Sequence, residues 1–341
     1  MQTVAGAMSR RLRLGSLCGP KRRRFATPWR GGALAAIAVL LGALATGAAL
    51  LAPGPASAVG PYPDLGSCTV FPAPPASLSP RAPSLATEAA WNQNIAKAPR
   101  AANSAKVIAY IDSHGGTAIH PDFGSPRAYG SESSAGPFPV PTNAPVEGGS
   151  GSDGDRHVLV VDKSTCKLFE LYRAFPKSKP KPHWDADAGV EWDLDSAALR
   201  PDGWTSADAA GLPIFPGLVR YDEAAAGHVD HAIRVTMEST RDAFIHPASH
   251  CAGDTDSGAA PPMGLRLRLK PGYPLGGMGT EARAIAVAMK EYGLIVADNG
   301  SNWYISGTSD RRWDDEDLDA LKAIPGSAFE VVRSAAPVRP C

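Results

Sequence analysis

Between His183 and Asp195 the chain alternates without a break. Trp184, Ala186, Ala188, Val190, Trp192 and Leu194 occupy the even positions, and His183, Asp185, Asp187, Gly189, Glu191, Asp193 and Asp195 the odd ones. Successive side chains of a β-strand leave opposite faces, so this period of two predicts a strand with one apolar and one acidic face. On an antiparallel strand such a face ordinarily meets water, although five carboxylates so close together repel one another.

The neighbouring segments agree with a strand-rich fold. HVLVVD (157–162) and KLFELYRAF (167–175) flank a short polar turn, as in a β-hairpin, and strands recur at 231–237, 243–246, 265–270 and 329–333. LIVAD and SNWYIS flank Asn299-Gly300, the pair that a type I′ hairpin turn requires. Short helices are expected at 105–114 before Gly115, at 217–226 before Gly227, at 281–292 before Gly293, and at 314–324. There is no internal repeat and no parallel βαβ rhythm. The expected fold is mainly β, a β-sandwich or jelly-roll core with a few short helices and long loops. The 35 Gly and 32 Pro fit such loops. Residues 53–87, rich in Pro, Ala and Ser, predict an extended linker or strap, and 115–154 a long irregular excursion.

The 34 basic and 34 acidic residues cancel overall, but residues 1–58 hold eight bases and no acid. The remaining 341 − 58 = 283 residues therefore carry 34 − 8 = 26 bases against 34 acids, a net charge of −8. That argues against nucleic acid as a partner. The apolar stretch 33–52 follows a basic region and precedes Ala56-Ser57-Ala58, the layout of a signal peptide cleaved after Ala58. An uncleaved anchor is the alternative, since about 20 apolar residues suffice to span a bilayer. Arg22-Arg23-Arg24-Phe25 fits part of a twin-arginine signal, with the general secretory route also open. The expected organisation is a signal peptide (1–58), a Pro-rich linker (59–87) and a single globular β-rich domain (88–341), exported and remaining extracellular or wall-associated, with no membrane contact after cleavage. Cys68, Cys166, Cys251 and Cys341 would then remain in an oxidising compartment. Four cysteines allow three pairings, of which Cys166–Cys251 and Cys68–Cys341 are preferred.

The stretches WNQNIAKAPRAANSA, GDRHVLVVD, LRPDGWTSADAAGLPIFPGLVRYDE, DHAIRVT, PPMGLRLRLK and GLIVADNGSNWYISG resemble a group of secreted bacterial proteins, chiefly actinobacterial, over about residues 90–332. The resemblance implies a secreted globular domain and supplies no catalytic residues. Locally, Glu191-Trp192-Asp193-Leu194-Asp195 resembles the E-x-D-x-E strand of laminarinase-type glycosidases, with Asp where that motif ends in Glu.

Three constellations point to chemistry. Residues i and i+2 on one strand face lie about 6.5–7 Å apart, in the range that glycoside hydrolysis demands of its two carboxylates. Asp187 and Asp193, with Glu191 between them, are accordingly the candidate catalytic pair. His231 and His246 are candidate acid–base groups if they meet across neighbouring antiparallel strands. Trp204, Trp303 and Tyr304, with Asp208 and Asn299, have the mix of aromatic faces and hydrogen-bonding groups that suits sugar rings. No metal site or cofactor is required, although Ca²⁺ at Asp185 and Asp187 is an alternative use of the acidic row. The expected function is a secreted polysaccharide hydrolase. A non-catalytic glycan-binding module and a disulfide-stabilised envelope protein are the competing classes, and the oligomeric state is left open.

Overall fold

The computed structural model describes residues 2–4, 68, 90–115, 117–118, 130–253 and 255–338. All of them fall in one compact unit. Nearly all of the predicted signal peptide and of the 59–87 linker, residues 119–129 of the excursion, and Cys341 lie outside the described residues. In chain order the strands are β1 Gln2–Val4, β2 Val158–Asp162, β3 Lys167–Tyr172, β4 Phe175–Lys177, β5 His183–Asp185, β6 Ala188–Asp193, β7 Ile233–Met237, β8 Arg241–Phe244, β9 Pro262–Met263, β10 Arg266–Leu269, β11 Leu294–Asn299, β12 Tyr304–Ile305 and β13 Phe329–Val331. The α-helices are α1 Ser104–Ser113, α2 Tyr221–Ala225, α3 Thr280–Glu291 and α4 Asp315–Leu318. Strand residues outnumber helical ones and form several sheets. Among the described residues no helix is long and apolar enough to cross a membrane.

One sheet runs β1-β2-β3-β6 and is antiparallel throughout. Its hairpin β2–β3 closes at Asp162↔Lys167, where the Asp162 carboxylate accepts from the backbone N–H and hydroxyl of Ser164 and holds the turn. Leu159, Val161, Leu168, Val190 and Trp192 form one face and pack on Ile214, Phe215 and Leu218. Val158, Val160, Phe169 and Leu171 form the other, covered by Phe138, Val140, Ala144 and Val146. Part of the long excursion is thus a cover for this sheet. Each buried aliphatic or aromatic side chain there contributes roughly 1.5–3 kcal/mol.

The second sheet runs β12-β7-β11-β10-β13. α3 buries Ala282, Ile285, Ala286 and Met289 in the core of this half. It ends at Gly293 (φ +77°), where a Cβ would lie 2.2 Å from the Leu267 carbonyl oxygen. The segment 207–219 contributes to both cores. Its Ala207, Ile214, Phe215 and Leu218 join the core of the first sheet, while Ala210, Leu212 and Val219 join that of the second.

Four sequence expectations change. The alternating 183–195 run is two strands, β5 in a ribbon with β4 and β6 in the main sheet. Arg173, in the left-handed region at φ +51°, turns the β3 arm out of the sheet, and Asp187, whose N–H donates to the Tyr172 carbonyl, marks the matching break on the return arm. Asn299-Gly300 does not join a hairpin, because β11 and β12 lie on opposite sides of β7. Parallel pairing, expected to be absent, occurs between β7 and β11 and between β8 and β9. Finally, Cys166 bonds Cys68 rather than Cys251. Cys251 is disulfide-bonded as well, so neither preferred pairing holds. The Cys68–Cys166 bond joins cysteines 98 positions apart in the sequence and ties Cys68 to the β2–β3 turn.

Candidate functional site

The acidic row is neutralised by the strands beside it. Lys167, opposite Asp193 in the ladder, donates to Asp193 at 3.0 Å and lies 3.8 Å from Glu191. The Lys167 ammonium is the main reason that the Asp193 pKa is lowered, assisted by the Asp195 backbone N–H. Arg173 pairs with Asp187 at 2.8 Å, and Lys177 and His183 flank Asp185 at 3.7 and 3.4 Å. Asp187 lies before the strand that carries Asp193, and six residues of extended chain span about 20 Å, beyond the 9.5 Å limit for a carboxylate pair. Only Glu191 and Asp193 keep the two-residue spacing. Among the described residues no group of three or more His, Cys, Asp or Glu is placed to hold a metal ion, so the Ca²⁺ alternative finds no support at Asp185 and Asp187.

The two histidines do not meet across neighbouring strands. β7 pairs with β11 and β12, β8 with β9. His231 is buried, its Nδ1 2.7 Å from the Ala232 carbonyl and its Nε2 2.9 Å from Glu223, which also takes the Arg220 guanidinium. That is a structural tie between α2 and the start of β7. His246 is half-exposed and bonds Asp202 through Nε2 at 2.8 Å.

The proposed aromatic platforms also separate. Trp303 is wholly buried, stacks on Phe329 with centroids 5.1 Å apart and donates Nε1–H to Asp112 on α1. It fixes the helix to the sheet and cannot receive a ligand. Tyr304 is half-buried in β12, and Asn299 donates to the Thr240 hydroxyl. Trp204, by contrast, is 39% exposed, the single exposed large hydrophobic side chain among the described residues.

Around Trp204 two loops and a turn converge. Gly203 N–H donates to the Ser249 carbonyl and the Ser249 hydroxyl donates to the Trp204 carbonyl, joining the 200–206 loop to the 246–250 loop. Gly211 is required beside them, since a Cβ there would meet the Ser249 hydroxyl at 2.1 Å and the Trp204 carbonyl at 2.5 Å. The Glu132 carboxylate accepts from the Thr205 N–H at 2.6 Å, and the Glu132 carbonyl accepts from Arg200 Nη2. The Arg200 guanidinium carbon lies 5.3 Å from the Trp204 ring centroid and 5.9 Å from that of Trp192. An indole face, a guanidinium, a carboxylate and an imidazole thus share one corner of the surface.

Beneath this corner the chain is fixed by buried charge. Asp208, fully buried, faces Arg234 fork to fork at 2.8 and 3.3 Å, and Asp298 and Ser306 take further guanidinium bonds. Burial pushes the Asp208 carboxyl up, and the Arg234 guanidinium opposes this by favouring the carboxylate. His157 is buried with both ring nitrogens facing acceptors, Glu147 at 2.7 Å and the Ala207 carbonyl at 2.8 Å. Burial opposes its charge, but the Glu147 carboxylate outweighs this together with Asp155, and its pKa is raised to about 10. Asp208 therefore belongs to the foundation of the 200–208 loop and does not face a ligand.

Of the sequence candidates, the fold brings Trp204 and His246 to one corner, buries His231 and Trp303, pairs Asp187 with Arg173 and Asp193 with Lys167, and ties the Glu191 N–H to the Ser134 hydroxyl, two residues from Glu132. Arg200, Asp202 and Glu132 were missed. Asp202 and Trp204 share the D-G-W triplet, the one local signal available; Glu132 comes from 68 residues upstream of Arg200, and no periodicity announces it. Comparison with protein-family models, curated proteins and solved structures gives no match.

Proposed function

We propose that this is a secreted glycan-binding protein whose site is the Trp204 corner. The exposure of Trp204, the only large apolar side chain among the described residues left to solvent, carries the reading. Sugar rings offer apolar faces for stacking and hydroxyls for hydrogen bonds, and Trp204 stands beside Asp202, His246 and Arg200, which supply acceptors and donors. The Cys68–Cys166 disulfide fits an oxidising compartment and supports export through the 1–58 leader, in keeping with the resemblance to secreted actinobacterial proteins. We read the two main sheets as the leaves of a sandwich filled by residues 207–219. The support for this is the division of that segment's apolar side chains between two cores.

A hydrolase is the second reading, favoured by one observation: Glu191 and Asp193 are both exposed and two residues apart on one strand face. Asp193, lowered by Lys167, suits a nucleophile or base and not a proton donor, which leaves Glu191 as the acid. One experiment separates the two. Purified protein is incubated with bacterial-wall, plant and fungal polysaccharides while retained protein and released sugar ends are measured together. Retention that is lost in Trp204→Ala, with no released ends, is the expected result. Released ends abolished by Asp193→Asn establish the hydrolase instead.

A further inference from the structure

The charged side chains of this fold are, in general, well satisfied. Arg234, Arg268 and Arg312 each hold a carboxylate, and Arg156 gives three hydrogen bonds to backbone carbonyls. Arg241 and Arg200 are less well served, and Arg200 stands at the corner already singled out. It donates a single hydrogen bond, Nη2–H to the Glu132 carbonyl, and its Nε is buried without an acceptor. It pairs with no carboxylate among the described residues. Two acids of the corner are otherwise engaged, Glu132 by the Thr205 N–H and Asp202 by His246. Loss of hydration is the larger influence on its guanidinium and lowers its pKa, with Glu132 acting the other way. A half-buried guanidinium that stacks on an exposed indole and holds no carboxylate is suited to an incoming anion, which supplies planar, charge-assisted hydrogen bonds.

We propose that the Trp204 corner takes an acidic sugar, a uronate or other carboxylate-bearing residue of an extracellular polysaccharide, with its ring on Trp204 and its carboxylate on Arg200. The proposal rests on the glycan-binding reading of the same corner and adds the ligand class. Diffuse attraction does not account for such a preference, because residues 59–341 carry 34 acids against 26 bases and repel a polyanion. Selectivity must therefore be local.

The test measures dissociation constants of the purified protein at physiological ionic strength for polygalacturonate, alginate and hyaluronate, each beside its carboxyl-reduced form. The expected result is at least one acidic polymer bound about ten-fold or more tightly than its reduced form, a margin typical of a charge-assisted contact. Arg200→Gln closes that gap, lowering the affinity for the acidic polymer by at least ten-fold more than that for its reduced form, and Trp204→Ala weakens both. Equal affinity of wild-type protein for each acidic and reduced pair overturns the acid preference, with no variant needed. A gap that persists in Arg200→Gln also overturns it. If Trp204→Ala binds every polymer as the wild type does, or nothing binds, the glycan reading itself falls.

Discussion

The exposed face of β6 and the Trp204 corner are both polar surfaces, yet they are built on opposite principles. On β6 each carboxylate stands against a base from the adjoining strand, Lys167 for Glu191 and Asp193, so that the charge is balanced by the sheet's own register. At the corner an indole is exposed and a guanidinium is short of acceptors, while a buried belt of ion pairs holds the supporting loop. Surface whose groups satisfy one another is finished; surface held rigidly from below with groups left open is available to a ligand. A row of charges in the sequence is a weaker sign of function than one misplaced aromatic.

Four substitutions or conditions bear on this contrast. The largest effect is expected beneath the corner. Arg234→Met removes the cation facing two carboxylates and leaves Asp208 buried and uncompensated, which costs about 3–5 kcal/mol of stability, read as a fall in the urea midpoint. A change below 1 kcal/mol would show that the belt does not hold the loop. Next is pH. His157 has its folded pKa raised to about 10 from an ordinary 6.5, so its contribution is full below about pH 6.5 and is lost as pH rises through 10. Urea midpoints at pH 6, 8 and 10.5 are expected to fall along the series in wild type and to fall less in His157→Gln.

Trp204→Ala bears on function far more than on stability. An exposed side chain contributes little to folding, so a midpoint within about 0.5 kcal/mol of wild type accompanies the loss of glycan retention. Unfolding of this variant would assign Trp204 to the core. The smallest effect on function belongs to β6, where Lys167→Met breaks a half-exposed pair worth about 0.2–1 kcal/mol and screened by salt. Loss of retention in that variant, with stability unchanged, would make the acidic row part of the site and erase the contrast.

The sequence made the local elements legible. The β2–β3 hairpin, α1 and α3 fall within a residue or two of their expected positions because period and capping residues are properties of short segments. What it hid was pairing between distant segments. Nothing in Asn299-Gly300 tells that β11 and β12 straddle β7, and the cover of Phe169 by Phe138 comes from a stretch with no strand period of its own. The site was half legible: Trp204 lay in a Gly- and Asp-rich setting and His246 near other histidines, but Trp303 shared that kind of setting and is core. Burial is decided by what packs on a residue, and composition around it does not carry that information.

The most direct test of the corner as a ligand site is acrylamide quenching of tryptophan fluorescence with and without polysaccharide. Buried Trp91, Trp192 and Trp303 quench poorly and Trp184 and Trp313 are half-buried, so the share of quenching that belongs to Trp204 is read as the difference between wild type and Trp204→Ala. Saturable protection by an acidic glycan, absent in Trp204→Ala, is the predicted result. Quenching that no glycan alters, in a preparation that still retains glycan, would place the binding surface elsewhere and contradict the account.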